Sequence, residues 1–120
     1  MGGRVFLADH HQPVRSALRL LLEHEPDLSV VGEADEPESV LAAVGAVRPD
    51  LILLDWDLVE RAGRGLIAAL RQAALATRVV ALSCRPEDWV AAEDAGADAF
   101  VCMGEPPERL LRAVRAVLAG

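Results

Sequence analysis

Carboxylate, imidazole and hydroxyl side chains follow three of the five short apolar segments in this 120-residue chain. Asp9 and His10 come after the first segment, Asp55 after the third and Ser83 after the fourth. A carboxylate can act as a nucleophile towards phosphorus and form an acyl phosphate. A carboxylate after a strand can also simply turn the chain or cap the next helix. The elements that position Asp55 must therefore decide between these roles.

The apolar segments alternate with stretches of helical periodicity. The predicted strands are residues 5–8, 28–32, 51–54, 79–82 and 99–102. Each is followed by a predicted helix, and prolines mark four of the helix starts. A loop is predicted over residues 56–64, before the third helix. This alternation indicates an α/β fold of one domain, residues 1–120, with a parallel sheet covered on both faces. Right-handed crossovers would place Asp9, Asp55 and Ser83 along one edge of that sheet.

Composition narrows the class of protein. The chain is 52% hydrophobic with 3% aromatic residues, and its formal net charge is -7. Without a basic stripe or a stacking platform, we expect no direct nucleic acid binding. The apolar runs are too short for a membrane span, and the N-terminus leads into a strand rather than a signal peptide, so we expect a cytoplasmic protein. Cys84 and Cys102 lack metal-ligand spacing and are expected to be reduced thiols rather than a redox pair.

The order and spacing of these motifs resemble the receiver domain of bacterial two-component response regulators, in the subfamily that precedes a helix-turn-helix output domain. The matching stretches are Phe6-Leu7-Ala8-Asp9, Leu53-Leu54-Asp55 with Gly63 eight residues on, Val80-Ala81-Leu82-Ser83, Gly96-Ala97-Asp98-Ala99-Phe100 and the segment from Glu105 to Val114. The resemblance implies a flavodoxin-like (CheY-like) fold with strand order 2-1-3-4-5 and five helices on both faces of the sheet.

The resemblance also implies roles for individual residues. Asp55 matches the phosphoacceptor. Mg²⁺ would be held by an acidic pair at Asp9 and position 10, by Asp55 and by the backbone carbonyl of Asp57. Ser83 matches the hydroxyl that contacts the phosphoryl group, and Phe100 matches the switch aromatic.

Three positions depart from the family pattern. The second carboxylate of the acidic pair is His10, and the lysine expected three residues after the aromatic is Met103. Mg²⁺ prefers oxygen ligands, so His10 in place of a carboxylate predicts a weak or missing Mg²⁺ site. No other cofactor is expected. Met103 cannot pair with a phosphoryl oxygen. Leu58-Val59 replaces the usual Met-Pro and predicts a looser loop. We therefore predict an atypical receiver, not an enzyme, that regulates an output domain or a partner, with transcription as the expected output.

Alternatives remain open. Asp55 could still accept a phosphoryl group from a sensor histidine kinase, with a protonated His10 partly replacing the missing charge. His10 could bind zinc or nickel, although His10 and His11 are expected to point to opposite sides as a solvated pair. Asp55-Trp56-Asp57 also resembles the start of a haloacid-dehalogenase-like phosphatase. That motif normally follows the first strand of its domain, and that family uses a lysine, which this chain lacks.

Partners are predicted from the resemblance. The resemblance implies a DNA-binding output domain, which would lie outside these residues. The chain ends at Gly120 directly after the last predicted helix, as expected at a domain boundary or for a single-domain regulator. A homodimer is expected, with Trp89 as a candidate anchor on the surface of the fourth predicted helix. Asp98 is expected to be a turn residue only.

Overall fold

The computed structural model describes residues 3–63 and 65–120, and it contains a five-stranded sheet. The strands are β1 (Gly3–Ala8), β2 (Leu28–Ala34), β3 (Leu51–Asp55), β4 (Arg78–Ser83) and β5 (Ala99–Cys102). All pairings are parallel and the order is β2-β1-β3-β4-β5. The predicted fold class and strand order are therefore confirmed.

Six α-helices, rather than five, surround the sheet in the described part of the chain. They are α1 (Gln12–Glu23), α2 (Pro37–Val47), α3 (Trp56–Ala62), α4 (Leu66–Ala73), α5 (Trp89–Asp94) and α6 (Pro107–Ala119). A 3-10 turn, Pro86–Asp88, leads into α5. The loop predicted over residues 56–64 is wrong, because most of it is α3; Arg64 lies outside the described residues.

Helix α3 forms because it is capped and buried. The Asp57 N–H donates to Asp55 Oδ1 at 3.1 Å, so Asp55 is its N-cap. Trp56, Leu58 and Val59 are all buried on it. Leu58 and Val59, which were expected to lie in a looser loop, are instead core residues of a helix.

The core consists of two clusters, one on each face of the sheet, because successive residues of a strand face opposite ways. Ile52 and Leu54 pack on the face covered by α2, α3, α4 and α5. Leu51 and Leu53 pack on the face covered by α1 and α6. These four residues are at most 1% exposed, so β3 is buried on both faces and holds its carboxyl end rigidly.

The helices are short relative to a lipid bilayer. The longest, α6, has 13 residues, whereas a span needs about 20. Among the residues described, no helix combines the length and apolarity that crossing a membrane requires.

Candidate functional site at the carboxyl edge of the sheet

Asp55 lies at the carboxyl end of the central strand β3 and is 7% exposed. Its two carboxylate oxygens have different surroundings. Oδ1 accepts the Asp57 N–H and so caps α3, while Oδ2 lies 3.1 Å from His10 Nδ1. The alternative that Asp55 is a helix cap is thus correct, and it does not exclude a chemical role because Oδ2 remains directed at the edge of the sheet.

Asp9 and two histidines complete a group that we call the His–Asp cluster: Asp9, His10, His11 and Asp55. Asp9 follows β1, the neighbour of β3, and is 4% exposed. His11 Nδ1 lies 3.1 Å from Asp9 Oδ1 and 3.7 Å from Asp55 Oδ2. The two imidazole rings are 3.7 Å apart between centroids. The predicted meeting of Asp9 and Asp55 at one edge is confirmed.

The expectation that His10 and His11 point to opposite sides is wrong. Asp9 Oδ1 accepts the His11 backbone N–H at 2.8 Å, which is an Asx-type turn. The chain bends at His10, so the alternation of side chains along β1 does not continue through the two histidines. Both imidazoles therefore face the two carboxylates, and one ligand atom from each of the four residues lies within 4.8 Å of the others.

The electrostatics of the cluster are unfavourable for two charged carboxylates. Burial raises the pKa of Asp55 above its usual value of 3.8, and the nearby charge of Asp9 raises it further. The Asp57 N–H and His10 act in the opposite direction, and burial and Asp9 together outweigh them. No arginine side chain in the described residues forms an ion pair with either carboxylate; Arg15 reaches only the backbone carbonyl of Asp9, at 2.7 Å.

Ser83, Phe100 and Met103 lie on the β4–β5 side of the edge. Ser83 ends β4, and its Oγ donates to Asp88 Oδ2 at 2.6 Å. Phe100 is half-buried on β5 and packs against the core cluster below α5. Met103 donates its backbone N–H to the Ser83 carbonyl at 2.8 Å and packs its side chain against the opposite core cluster. At the position where a lysine was expected, the structure thus has an apolar side chain facing the core.

Arg85 is a charged residue of this edge that the sequence interpretation missed. Its guanidinium donates to Glu60 Oε1 at 2.6 Å and to Asp88 Oδ2 at 3.0 Å, and it lies 3.9 Å from Asp57 Oδ1. Its backbone N–H donates to Ser83 Oγ at 3.0 Å. Glu60 and Asp88 raise the pKa of Arg85, so it stays charged. Its position two residues after β4, in a chain without lysine, was the available signal.

The donor set differs from the all-oxygen set that Mg²⁺ prefers. Mg²⁺ requires near-octahedral oxygen coordination, but half of the side-chain donors here are imidazole nitrogens. The third expected oxygen, the Asp57 carbonyl, belongs to the first turn of α3. A carbonyl in a helix points along the axis towards the N–H four residues on.

The two cysteines and Asp98 do not belong to the His–Asp cluster. Cys84 is exposed, Cys102 is half-buried, and both are free. Asp98 is more than a turn residue: its Oδ2 accepts the Val79 N–H at 2.7 Å and Arg71 Nη2 at 2.9 Å. That pairing lies at the opposite edge of the sheet and cannot contribute to the site.

A parallel sheet of this order, with an acidic residue after β1, another at the end of β3 and a hydroxyl at the end of β4, is the arrangement of signalling receivers. Residues 5–115 match the family model of the response regulator receiver domain. The chain therefore belongs to the response regulator receiver family.

Known proteins agree with this assignment. The chain is 35% identical to the nitrate/nitrite response regulator protein NarL of Escherichia coli over 118 residues, which are 97% of this chain and 55% of that protein. It is 37% identical over 119 residues to the DNA-binding transcriptional activator DevR/DosR of Mycobacterium tuberculosis, covering 98% and 55% of the two chains. The crystal structure of a LuxR-family two-component response regulator from Aurantimonas superposes with a TM-score of 0.90 at 29% identity, covering 100% of this chain and 87% of that one. The chain thus spans about half the length of the curated relatives it matches.

Proposed function

We propose that this domain is the receiver of a transcription-regulating response regulator, and that it does not use the Mg²⁺-dependent phosphoryl switch. The observation that carries the proposal is the contact of 3.1 Å between His10 Nδ1 and Asp55 Oδ2. An imidazole there takes the place of a carboxylate ligand and occupies the free oxygen of the phosphoacceptor position.

Charge supports the proposal. An aspartyl phosphate would add about two negative charges beside the buried carboxylate of Asp9. Met103 supplies no compensating charge, and the guanidinium of Arg85 is already held by Glu60 and Asp88. Losing one electrostatic contact to a transition state commonly costs roughly 3 kcal/mol, or a hundredfold in rate. Losing both Mg²⁺ and the lysine makes phosphorylation of Asp55 slow.

The hydrogen bonds of the Ser83 hydroxyl also support the proposal that the phosphoryl switch is not used. In receivers that match the family pattern, this hydroxyl is expected to turn towards the phosphoryl group. Here its hydrogen is donated to Asp88, and its oxygen accepts the Arg85 N–H. Turning Ser83 towards Asp55 would break both contacts, which further weakens the coupling between Asp55 and Phe100.

Regulation of transcription is inferred from the relatives. Those reported above are named as a response regulator and a DNA-binding transcriptional activator, and this chain matches about half of each. We infer that a DNA-binding output domain lies outside these residues, that the domain is cytoplasmic and that it acts by binding rather than by catalysis.

Amide spectra test the proposal directly. Beryllofluoride or acetyl phosphate with millimolar Mg²⁺ should leave the amide signals around Asp55 and Ser83 of the ¹⁵N-labelled domain unchanged. The matched control is the double variant His10→Asp/Met103→Lys, which restores the family pattern and should show a saturable shift. A saturable shift in the wild-type domain that Asp55→Asn removes would contradict the proposal.

A receiver that is still phosphorylated on Asp55 by a sensor histidine kinase is the second candidate. It is favoured by Arg85, whose guanidinium lies 3.9 Å from Asp57 Oδ1, and by the position of His10, which when protonated would supply a positive charge beside Asp55. In that case Arg85→Gln should reduce phosphoryl transfer, whereas Arg109→Gln, which removes the exposed ion pair of α6 with Glu105, should not.

Phosphatase activity is not favoured. Asp57, which would have to serve as the acid/base, lies on α3 and has its side chain near Arg85, and Asp55 follows the third strand. A generic phosphomonoester assay should show no turnover that depends on Asp55.

Self-association is proposed through α5. Trp89 and Val90 are each 50% exposed on this helix, although large apolar side chains normally bury most of their surface. Trp89→Ala should lower the dimer fraction in sedimentation experiments, whereas Leu75→Ala, at an apolar residue exposed elsewhere, should leave it unchanged.

A further inference from the structure

We propose that the His–Asp cluster is a binding site for a borderline transition-metal ion of the zinc class, with Asp9, His10, His11 and Asp55 as its four protein ligands. The proposal rests on geometry, donor chemistry and the arrangement of the residues that hold the ligands.

The distances suit a small four-coordinate ion. When the bonds to zinc are about 2.0–2.1 Å long, the ligand atoms of a tetrahedral site lie about 3.3 Å apart. Here, His10 Nδ1 and Asp55 Oδ2 are 3.1 Å apart, as are His11 Nδ1 and Asp9 Oδ1. His11 Nδ1 and Asp55 Oδ2 are 3.7 Å apart. One ligand atom of each of the four residues lies within 4.8 Å of those of the other three, so the four are close enough to share one ion.

The chemistry of the donors selects the ion. Imidazole nitrogen is a ligand for zinc, nickel and copper, whereas Mg²⁺ and Ca²⁺ require oxygen. Two carboxylates and two neutral imidazoles carry a net charge of -2, which a divalent cation neutralises. Because both carboxylates are nearly buried and no arginine pairs with them in the described residues, the bound ion would remove an unfavourable interaction between like charges.

The ligands are held by a surrounding set of hydrogen bonds. The His11 N–H binds Asp9 Oδ1, and the Asp57 N–H fixes the orientation of the Asp55 carboxylate. The Asp9 backbone is held on both sides: its N–H donates to the Ala34 carbonyl at 3.1 Å and its carbonyl accepts Arg15. Such outer contacts orient metal ligands and raise affinity.

This inference rests on the proposed function in one respect, namely that Mg²⁺ is not the ion of this edge. It goes further by naming the ligand that replaces Mg²⁺. Since Asp55 Oδ2 would be coordinated, an ion in this site would block phosphoryl transfer to Asp55 and make the receiver respond to metal instead.

Calorimetric titration of the metal-free domain with Zn²⁺, and separately with Mg²⁺, tests the proposal. We expect one Zn²⁺ per chain and no Mg²⁺ binding. His10→Ala and His11→Ala should each weaken Zn²⁺ binding by more than about 100-fold, because even second-shell partners of a metal are worth roughly 10–100-fold. Co²⁺ should give the intense visible absorption of a tetrahedral complex, a readout that does not depend on activity.

Control variants exclude other sites on the chain. His24 is an exposed histidine at the C-terminal end of α1, where its Nδ1 lies 2.8 Å from the Leu20 carbonyl, and Cys84 is an exposed thiol. His24→Gln and Cys84→Ser should bind Zn²⁺ as the wild type does. His10→Asp should lose Zn²⁺ affinity and gain Mg²⁺ affinity.

Two outcomes would overturn the inference: no stoichiometric Zn²⁺ binding by the wild type, or binding that survives both His10→Ala and His11→Ala while Cys84→Ser abolishes it. Thermal unfolding without metal verifies that the variants are folded. The proposed function fails separately, through a beryllofluoride shift in the presence of Mg²⁺, so the two results are distinguishable.

Discussion

The two edges of the sheet surround their carboxylates differently, and the pKa shifts have opposite directions. At the amino edge, Asp27 precedes β2, and the guanidinium of Arg115 lowers the pKa of its carboxyl group. At the carboxyl edge, burial and the charge of Asp9 raise the pKa of Asp55. The same side chain is thus stabilised as an anion at one edge and destabilised as an anion at the other.

At the amino edge, polar groups are stabilised by hydrogen-bond partners within the protein. The Arg4 N–H donates to Asp50 Oδ2 at 2.8 Å, and the Arg4 guanidinium donates to the Arg48 and Val47 carbonyls at the end of α2. Thr77, 3% exposed, donates its hydroxyl to the Pro49 carbonyl at 2.7 Å. These contacts join the starts of strands that are neighbours in the sheet, and they satisfy helix ends and strand ends. They need no ligand, whereas the carboxyl edge leaves its negative charge for an ion or a proton to balance.

The largest effect on stability is expected at the amino edge, from Asp98→Ala. The substitution leaves the N–H of Val79, which is 1% exposed, without its acceptor. An unsatisfied buried donor costs about 1–3 kcal/mol, so the free energy of unfolding in urea should fall by that amount. Glu93→Ala, at an exposed position of α5, is the control and should hardly change the free energy of unfolding. A similar loss of stability in both variants would show that the acceptor of the Val79 N–H is not the cause.

A smaller effect of opposite sign is expected at the carboxyl edge, from Asp55→Asn. Asparagine keeps the cap of α3 but removes a buried charge beside Asp9. Relieving an unfavourable functional site commonly stabilises by about 0.5–2 kcal/mol, so the metal-free domain should unfold at higher urea. Asp55→Ala loses the cap and should be less stable than Asp55→Asn by about 1 kcal/mol. Destabilisation by Asp55→Asn would mean that the charge is compensated.

The pH dependence of stability should differ between the two edges of the sheet. Because its folded pKa is raised, Asp55 contributes stability that is present below 3.8 and is lost as pH rises through its folded pKa. Because its folded pKa is lowered, Asp27 contributes stability that is present above 3.8 and is lost as pH falls through its folded pKa. Carboxyl ¹³C titration in the presence of a chelator should place Asp55 above 3.8 and Asp27 below it; the reverse order would contradict the comparison.

The smallest effect is expected from Arg115→Gln. The ion pair with Asp27 is exposed, so its loss should hardly change stability because solvent screens such pairs. The pKa of Asp27 should nevertheless return towards its usual value, which the same titration measures. An unchanged pKa would show that Arg115 does not hold the carboxylate in solution.

Much of this fold could be predicted from residue types alone. The apolar run 51–54 is long enough for a strand and too short for a helix, and its lack of alternation requires burial on both faces. Parallel order then brings Asp9 and Asp55 to one edge. Helix α3 could not be predicted in this way. A seven-residue helix is unstable by itself, and burial of Trp56, Leu58 and Val59 against the sheet stabilises it.

At the carboxyl edge, too, some features follow from residue types and others depend on the folded structure. Residue types alone predict which chemical groups arrive there: the carboxylates of Asp9 and Asp55, the imidazole of His10 where the family pattern has a second acidic residue, and the uncharged side chain of Met103. How these groups meet depends on the folded chain. The turn closed by Asp9 brings His11 to the same side as His10, and Arg85 engages the partner of Ser83. Such contacts depend on side-chain directions at the ends of separate strands, which periodicity along the chain does not encode.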